Sequence, residues 1–236
     1  MGRDKAMLTL AGRTLLRRAV ETLRAVPSLR NDAGKVTVTI VGERAELEGA
    51  DRLIVDRYPG CGPMGGMEAA LRDLNENDDD RLSGGGFEWA FFLPVDMPFL
   101  PVGLIDAVLK GWMEAGRRGA KACYFVVDGR AQPLVSMIHR SLHPSLTEAI
   151  TAEQFKVTPV LQSAPSALAS IDQDSLAYPH LVLQTTLVPF NETDLAFVGW
   201  TSTEEQEQSR HLWFSNLNNE EEFREAETFA FSLGSN

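Results

Sequence analysis

Two hydrophobic periods alternate along the chain. Leu15, Leu16, Ala19, Val20 and Leu23 recur at helical spacing behind Thr14, a helix-capping residue type, and Pro27 ends the run, so a helix is predicted through Ala25. Val36 to Val41 is a β-branched strand stopped by Gly42, and Leu53-Ile54-Val55 is a second short strand ending at Asp56. Met67, Ala70, Leu71 and Leu74 share one helical face. Trp89 to Leu93 is a short apolar run rich in aromatics, which reads as a strand buried on both faces. An amphipathic helix over Leu104–Ala115 follows, then strands over Ala122–Val127 and Pro133–Ile138 around an Asp128-Gly129 turn, and a helix over Leu142–Ile150.

Beyond Gln162 the pattern weakens. Leu181–Leu187 and Phe197–Trp200 read as strands, and Thr201–Arg210 as a charged loop or helix. Trp213–Ser215 reads as a short strand leading into a last helix, opened by Asn218 or Asn219 and running to about Phe231. Alternating strands and helices predict an α/β fold: three layers around a mostly parallel sheet. With 236 residues, 44% of them hydrophobic, residues 1–236 form one domain, with an addition around residues 162–208.

Composition narrows the function. No apolar run approaches the roughly 18 residues that span a bilayer. Cys61 and Cys123 are too few for a disulfide framework or a zinc site and read as small buried hydrophobes. These features point to the cytoplasm. A net charge of −11 argues against general affinity for nucleic-acid backbones. The charge is uneven: Arg3, Lys5, Arg13, Arg17, Arg18, Arg24 and Arg30 face only Asp4 and Glu21 in the first thirty residues. That asymmetry suits a small phosphorylated ligand, although a solvated helix face accounts for most of these arginines.

The candidate chemistry sits where apolar runs end. Asp96 follows the Trp89–Leu93 strand, and Pro98 blocks further pairing, which places a carboxylate where open α/β sheets hold ligands. It suits a magnesium ion carrying substrate phosphates, and it equally suits a cap for the helix that starts near Pro101. Asp56 is a second carboxylate at a strand end. The run from Tyr58 to Met67 holds four glycines and two prolines before a helix, matching neither a Walker A loop nor the dinucleotide fingerprint. His139 and His143 stand four apart with no third ligand near, and no motif for covalent or zinc chemistry occurs.

Four pieces fall in order: Met-Gly-Arg-Asp-Lys-Ala at 1–6, Gly-Pro-Met-Gly-Gly-Met at 62–67, Pro-Val-Asp-Met-Pro-Phe-Leu at 94–100 and Phe-Ser-Asn-Leu-Asn at 214–218. Together they resemble the molybdenum cofactor guanylyltransferases of the nucleotidyltransferase superfamily, which transfer GMP from GTP to molybdopterin. The resemblance implies a Rossmann-like nucleotidyltransferase fold, with Lys5 and Arg3 neutralising the triphosphate, Asp96 holding Mg²⁺ and Asp56 beside the guanosine. It further implies that Gly65 and Gly66 let the backbone approach the nucleotide, and that Asn216 and Asn218 close over the metal and the pterin-side phosphate. GTP and molybdopterin are the implied substrates, and molybdoenzymes the implied pterin-delivering or acceptor partners. Alternatives are a cytidylyl or sugar-phosphate nucleotidyltransferase, or a catalytically impaired nucleotide-binding homologue.

Two departures stand out. The family's signature begins with a central strand and a Leu-x-Gly-Gly-x-Ser-x-Arg-like turn before the Met-Gly pair. Here Met1 matches a methionine inside that motif, so the resemblance implies a start internal to the natural chain. Val41 also stands where relatives offer a polar side chain to the nucleoside.

Overall fold

A computed structural model describes residues 4–42, 46–76, 87–171, 182–187 and 200–234. Arg3 and residues 197–199 of the predicted Phe197–Trp200 strand lie outside the described residues.

A two-stranded antiparallel ribbon, β1 (Thr9–Leu10) and β2 (Arg13–Thr14), leads into α1 (Leu15–Ala25), whose Thr14 cap accepts from Arg17 N. Next come β3 (Thr39–Val41), β4 (Arg52–Ile54), α2 (Pro63–Glu76), β5 (Trp89–Phe92) and α3 (Val102–Arg117). A hairpin of β6 (Ala122–Val127) and β7 (Arg130–His139) turns at Asp128 and Gly129, both at positive φ (47° and 74°), the backbone a tight hairpin favours. α4 (His143–Thr151), α5 (Val157–Ile171), β8 (Val182–Leu187), α6 (Glu204–Gln208) and α7 (Glu220–Thr228) complete the order.

The principal sheet has the order β5-β7-β6-β8, and β3 and β4 form a separate parallel pair. β6 and β8 are parallel, and β5 and β6 both pair antiparallel with β7. Three of the four strands therefore share one direction and β7 opposes them. The β6–β7 register shifts between Tyr124 and Phe125, opposite the stretch of β7 that holds Pro133, a residue without an amide to donate.

Strand alternation divides the interior. Cys123, Phe125 and Val127 of β6, with Val135 and Met137 of β7, pack towards α3 and the carboxyl-terminal Leu212, Trp213 and Leu217. Ala122, Tyr124 and Ile138 pack towards α2, α4 and α5. These are the two helical layers of the expected three-layer architecture. Trp112 and Trp213 belong to the α3-side core, and Trp89 and Trp200 pack against it. A smaller cluster joins α1 to Val36, Val38 and Ile40.

Several expectations need correction. β5 is half-buried along its whole length and lies at the edge of the principal sheet, where an interior strand buried on both faces was expected. Beside it lies a cavity of about 940 Å³ lined by β3, β5, α1 and α2, between the two sheets. The strand expected over Leu181–Leu187 does form, as β8, and all six of its residues pair with β6. No strand forms at Trp213–Ser215; turn-type bonds run instead from Trp213 N to Arg210 O and from Ser215 N to Leu212 O. Cys123 is buried as expected, whereas Cys61 is only half-buried.

Candidate active site

Asp4 opens a single 3-10 turn over Lys5–Met7, its Oδ1 accepting from Ala6 N at 3.2 Å. The turn buries Ala6 and leaves Lys5 partly exposed. Lys5 Nζ donates to Asn218 Oδ1 at 2.5 Å and lies 3.7 Å from Asp96 Oδ2. Asp96 follows β5 and keeps only 19% of its side chain exposed. Its backbone carbonyl accepts from Leu217 N at 3.0 Å, and Leu217 is buried in the α3-side core. The Asn216–Asn218 loop is thereby fastened beside Asp96 by a main-chain bond and through Lys5.

The capping alternatives are resolved. α3 is preceded by Pro101 with no side-chain cap, so Asp96 has no capping role there. Asn219 caps α7 in a reciprocal box with Glu222, which leaves Asn218 to face Lys5. Asn216 is exposed, and its carbonyl accepts from Asn218 Nδ2 at 3.1 Å.

α2 supplies the second group. It begins at Pro63, a residue suited to the first helical position, so Gly65 and Gly66 lie inside the first turn and not in the loop before it. Asp56 Oδ1 accepts from Tyr58 N at 2.7 Å. A Cβ at Gly65 would lie 2.6 and 2.7 Å from the two Asp56 carboxylate oxygens. Only glycine lets that carboxylate rest on the helix start, where negative charge meets the positive end of the helix dipole. Gly66 has room, with Val41 Cγ1 as its nearest neighbour at 3.8 Å from a built Cβ.

The cavity between the sheets joins the groups: Asp96, Gly66 and Val41 all line it. The sequence-derived residues thus fall into a Lys5–Asp96–Asn218 cluster and an Asp56–Gly65 contact, with Gly66 and Asp96 in one wall system. The sequence reading missed a buried ionic group on α2, Glu68 with Arg72 and His143; its signal was an i,i+4 acid–base pair and a histidine away from any motif.

No group of three or more His, Cys, Asp or Glu able to hold a metal occurs among the described residues. His139 and His143 serve different partners, Ser141 and Glu68. A single carboxylate beside an ammonium fits a magnesium ion that arrives with substrate phosphates and waters as its other ligands, and does not fit a cage made of protein alone.

The chain is 26% identical over 182 residues to the molybdenum cofactor guanylyltransferase of Serratia proteamaculans, covering 76% of this chain and 81% of that one. It is 39% identical over 141 residues to a protein of Opitutus terrae named "Probable molybdenum cofactor guanylyltransferase", covering 58% and 59% of the two chains. The fold matches molybdopterin-guanine dinucleotide biosynthesis protein A from Archaeoglobus fulgidus with a TM-score of 0.56 at 19% identity, across 98% of this chain and 92% of the other. The family model for the MobA-like NTP transferase domain spans residues 1–167, taking in Lys5, Asp56, both α2 glycines and Asp96, and this chain belongs to that family.

Proposed function

We propose that this chain transfers GMP from GTP to the terminal phosphate of molybdopterin and releases pyrophosphate, as a cytoplasmic step in molybdenum cofactor dinucleotide synthesis. The observation that carries the reading is the meeting of Lys5, Asp96 and Asn218 at the end of β5, beside a cavity walled by Gly66.

The chemistry is an in-line displacement: a phosphate oxygen of molybdopterin forms a bond to the α-phosphorus of GTP, and the bond to the bridging oxygen of pyrophosphate breaks. A phosphate monoester has a second pKa of about 6, so the nucleophile is largely ionised at neutral pH and needs no strong general base. The site accordingly offers charge and not a titrating histidine. Lys5, oriented by Asn218, directs its ammonium at the charge that gathers on non-bridging and leaving oxygens. Magnesium, bound with the triphosphate, would neutralise the same charge from the Asp96 side. Asp56 and the start of α2 lie ready for the nucleoside end, and the small surface of Gly66 lets the chain approach it closely.

The test is pyrophosphate release with a panel of nucleoside triphosphates, molybdopterin and magnesium. GTP should give the highest rate; CTP preference would move the chain to the cytidylyl relatives, and binding without turnover to an impaired homologue. Asp96→Ala should abolish release while the melting temperature stays near that of the parent. Near-parental turnover would remove Asp96 from the metal role.

A further inference from the structure

Glu68 sits on α2 just beyond Gly65 and Gly66, and its side chain is only 3% exposed. Its Oε2 accepts from Arg72 Nη1 at 2.7 Å, and its Oε1 lies 2.9 Å from His143 Nε2 at the start of α4. Arg72, itself 10% exposed, sends Nη2 the other way to the Val55 carbonyl, a long hydrogen bond of 3.5 Å. Val55 directly precedes Asp56. On the far side, Arg57 meets Glu76 at 3.8 Å, and Glu76 lies 3.8 Å from Arg72 Nε. The Arg57–Glu76 pair is well exposed and contributes little; the buried members carry the connection.

A buried ion pair is seldom the most stable filling for its space, because an apolar pair of similar shape avoids the desolvation of two charges. What this pair supplies is direction. Glu68 and His143 fix α2 against α4, and Arg72 draws the residue before Asp56 onto α2. The carboxylate of Asp56 is thereby held over Gly65. We infer that Glu68 and Arg72 are positioning residues for the Asp56 turn, and so for the nucleoside end of the bound triphosphate. This rests on the reading of Asp56 given above.

Three variants separate this role from a merely structural one. Arg72→Met keeps the length of the side chain and removes its bonds; Glu68→Leu removes the acid; the double variant replaces the pair by apolar groups. The first readout needs no ligand: amide exchange at Tyr58, the donor to Asp56, should quicken by about tenfold in Arg72→Met and in the double variant, while β6 amides keep their protection. The second is kinetic: KM for the preferred triphosphate should rise by about tenfold with kcat nearly unchanged. The double variant should regain the thermal stability lost by either single variant without regaining KM. Parental exchange at Tyr58 in the double variant would overturn the inference. So would a parental KM once stability has returned. A parent protein that fails to turn over GTP would sink the substrate reading alone, since the exchange measurement still decides the positioning role.

Discussion

A methyl group added at Gly66 meets only Val41 Cγ1, at an ordinary van der Waals distance of 3.8 Å, whereas one added at Gly65 runs into Asp56 and the Tyr58 carbonyl. The neighbouring glycines therefore make opposite predictions for stability. Gly66→Ala should stabilise α2 by up to about 1 kcal/mol, raising the melting temperature, and yet weaken GTP binding measured by titration. Gly65→Ala should lower both, by about 1–3 kcal/mol in stability, as the Asp56 turn is pushed off the helix. His139 gives a residue-level pH prediction. Burial, aided by Lys121 and opposed by Glu88, pushes its imidazole down to about 4, below the usual value near 6.5. Its Nδ1 accepts from Ser141 N at 3.1 Å, which requires the neutral ring. The folded state thus binds fewer protons than the unfolded one between those values. The stability is fully present above about pH 6.5 and is lost as pH falls towards 4. His139→Asn retains an acceptor and should flatten the urea midpoint across that window. Asp56 and Asp96 were legible in the sequence because each ends an apolar run. The Lys5–Asn218 bond spans 213 positions, and no periodicity records it; only the order of motifs hinted at it.

Helix starts were more legible than strand environments. Thr14 and Pro27 bracket α1 because capping and ring closure act within one turn, and the structure agrees to the residue at the start. α7 opens at Asn219 for the same reason. Asn219→Ala should destabilise the protein by about 1 kcal/mol in chemical denaturation, with a parallel loss of order at Asn218, whose amide bonds the Glu222 carboxylate of the same cap. The aromatic run at Trp213 imitates a strand in composition only. Its indole Nε1 donates to the Gln206 carbonyl at 3.2 Å, and that tertiary bond, together with turn closure at Arg210, overrides the local preference. β5 shows a different limit. Its composition correctly announced a strand, but whether a strand has one neighbour or two depends on hydrogen bonds along its edges, which hydrophobic pattern does not encode.

Across the whole molecule, the two faces of the principal sheet serve different neighbours. The α2, α4 and α5 side carries the glycine turn and the buried Glu68 group; the α3 side holds the carboxyl-terminal segment that delivers Asn218. The alternation of elements made the layers legible; the turn at Asp128-Gly129 was legible too, but the opposed direction of β7 emerged only with the structure, which starts that strand at Arg130 directly after the two-residue turn. All four tryptophans of the chain lie in or against the α3-side core, while Tyr58 and Tyr124 serve the other side. Intrinsic emission excited at the indole band is therefore blind to one half of the protein. Loosening of α2 and α4 under mild denaturant should pass unseen in the emission maximum and register first as lost helical ellipticity; coincident curves would show that the two halves melt as one.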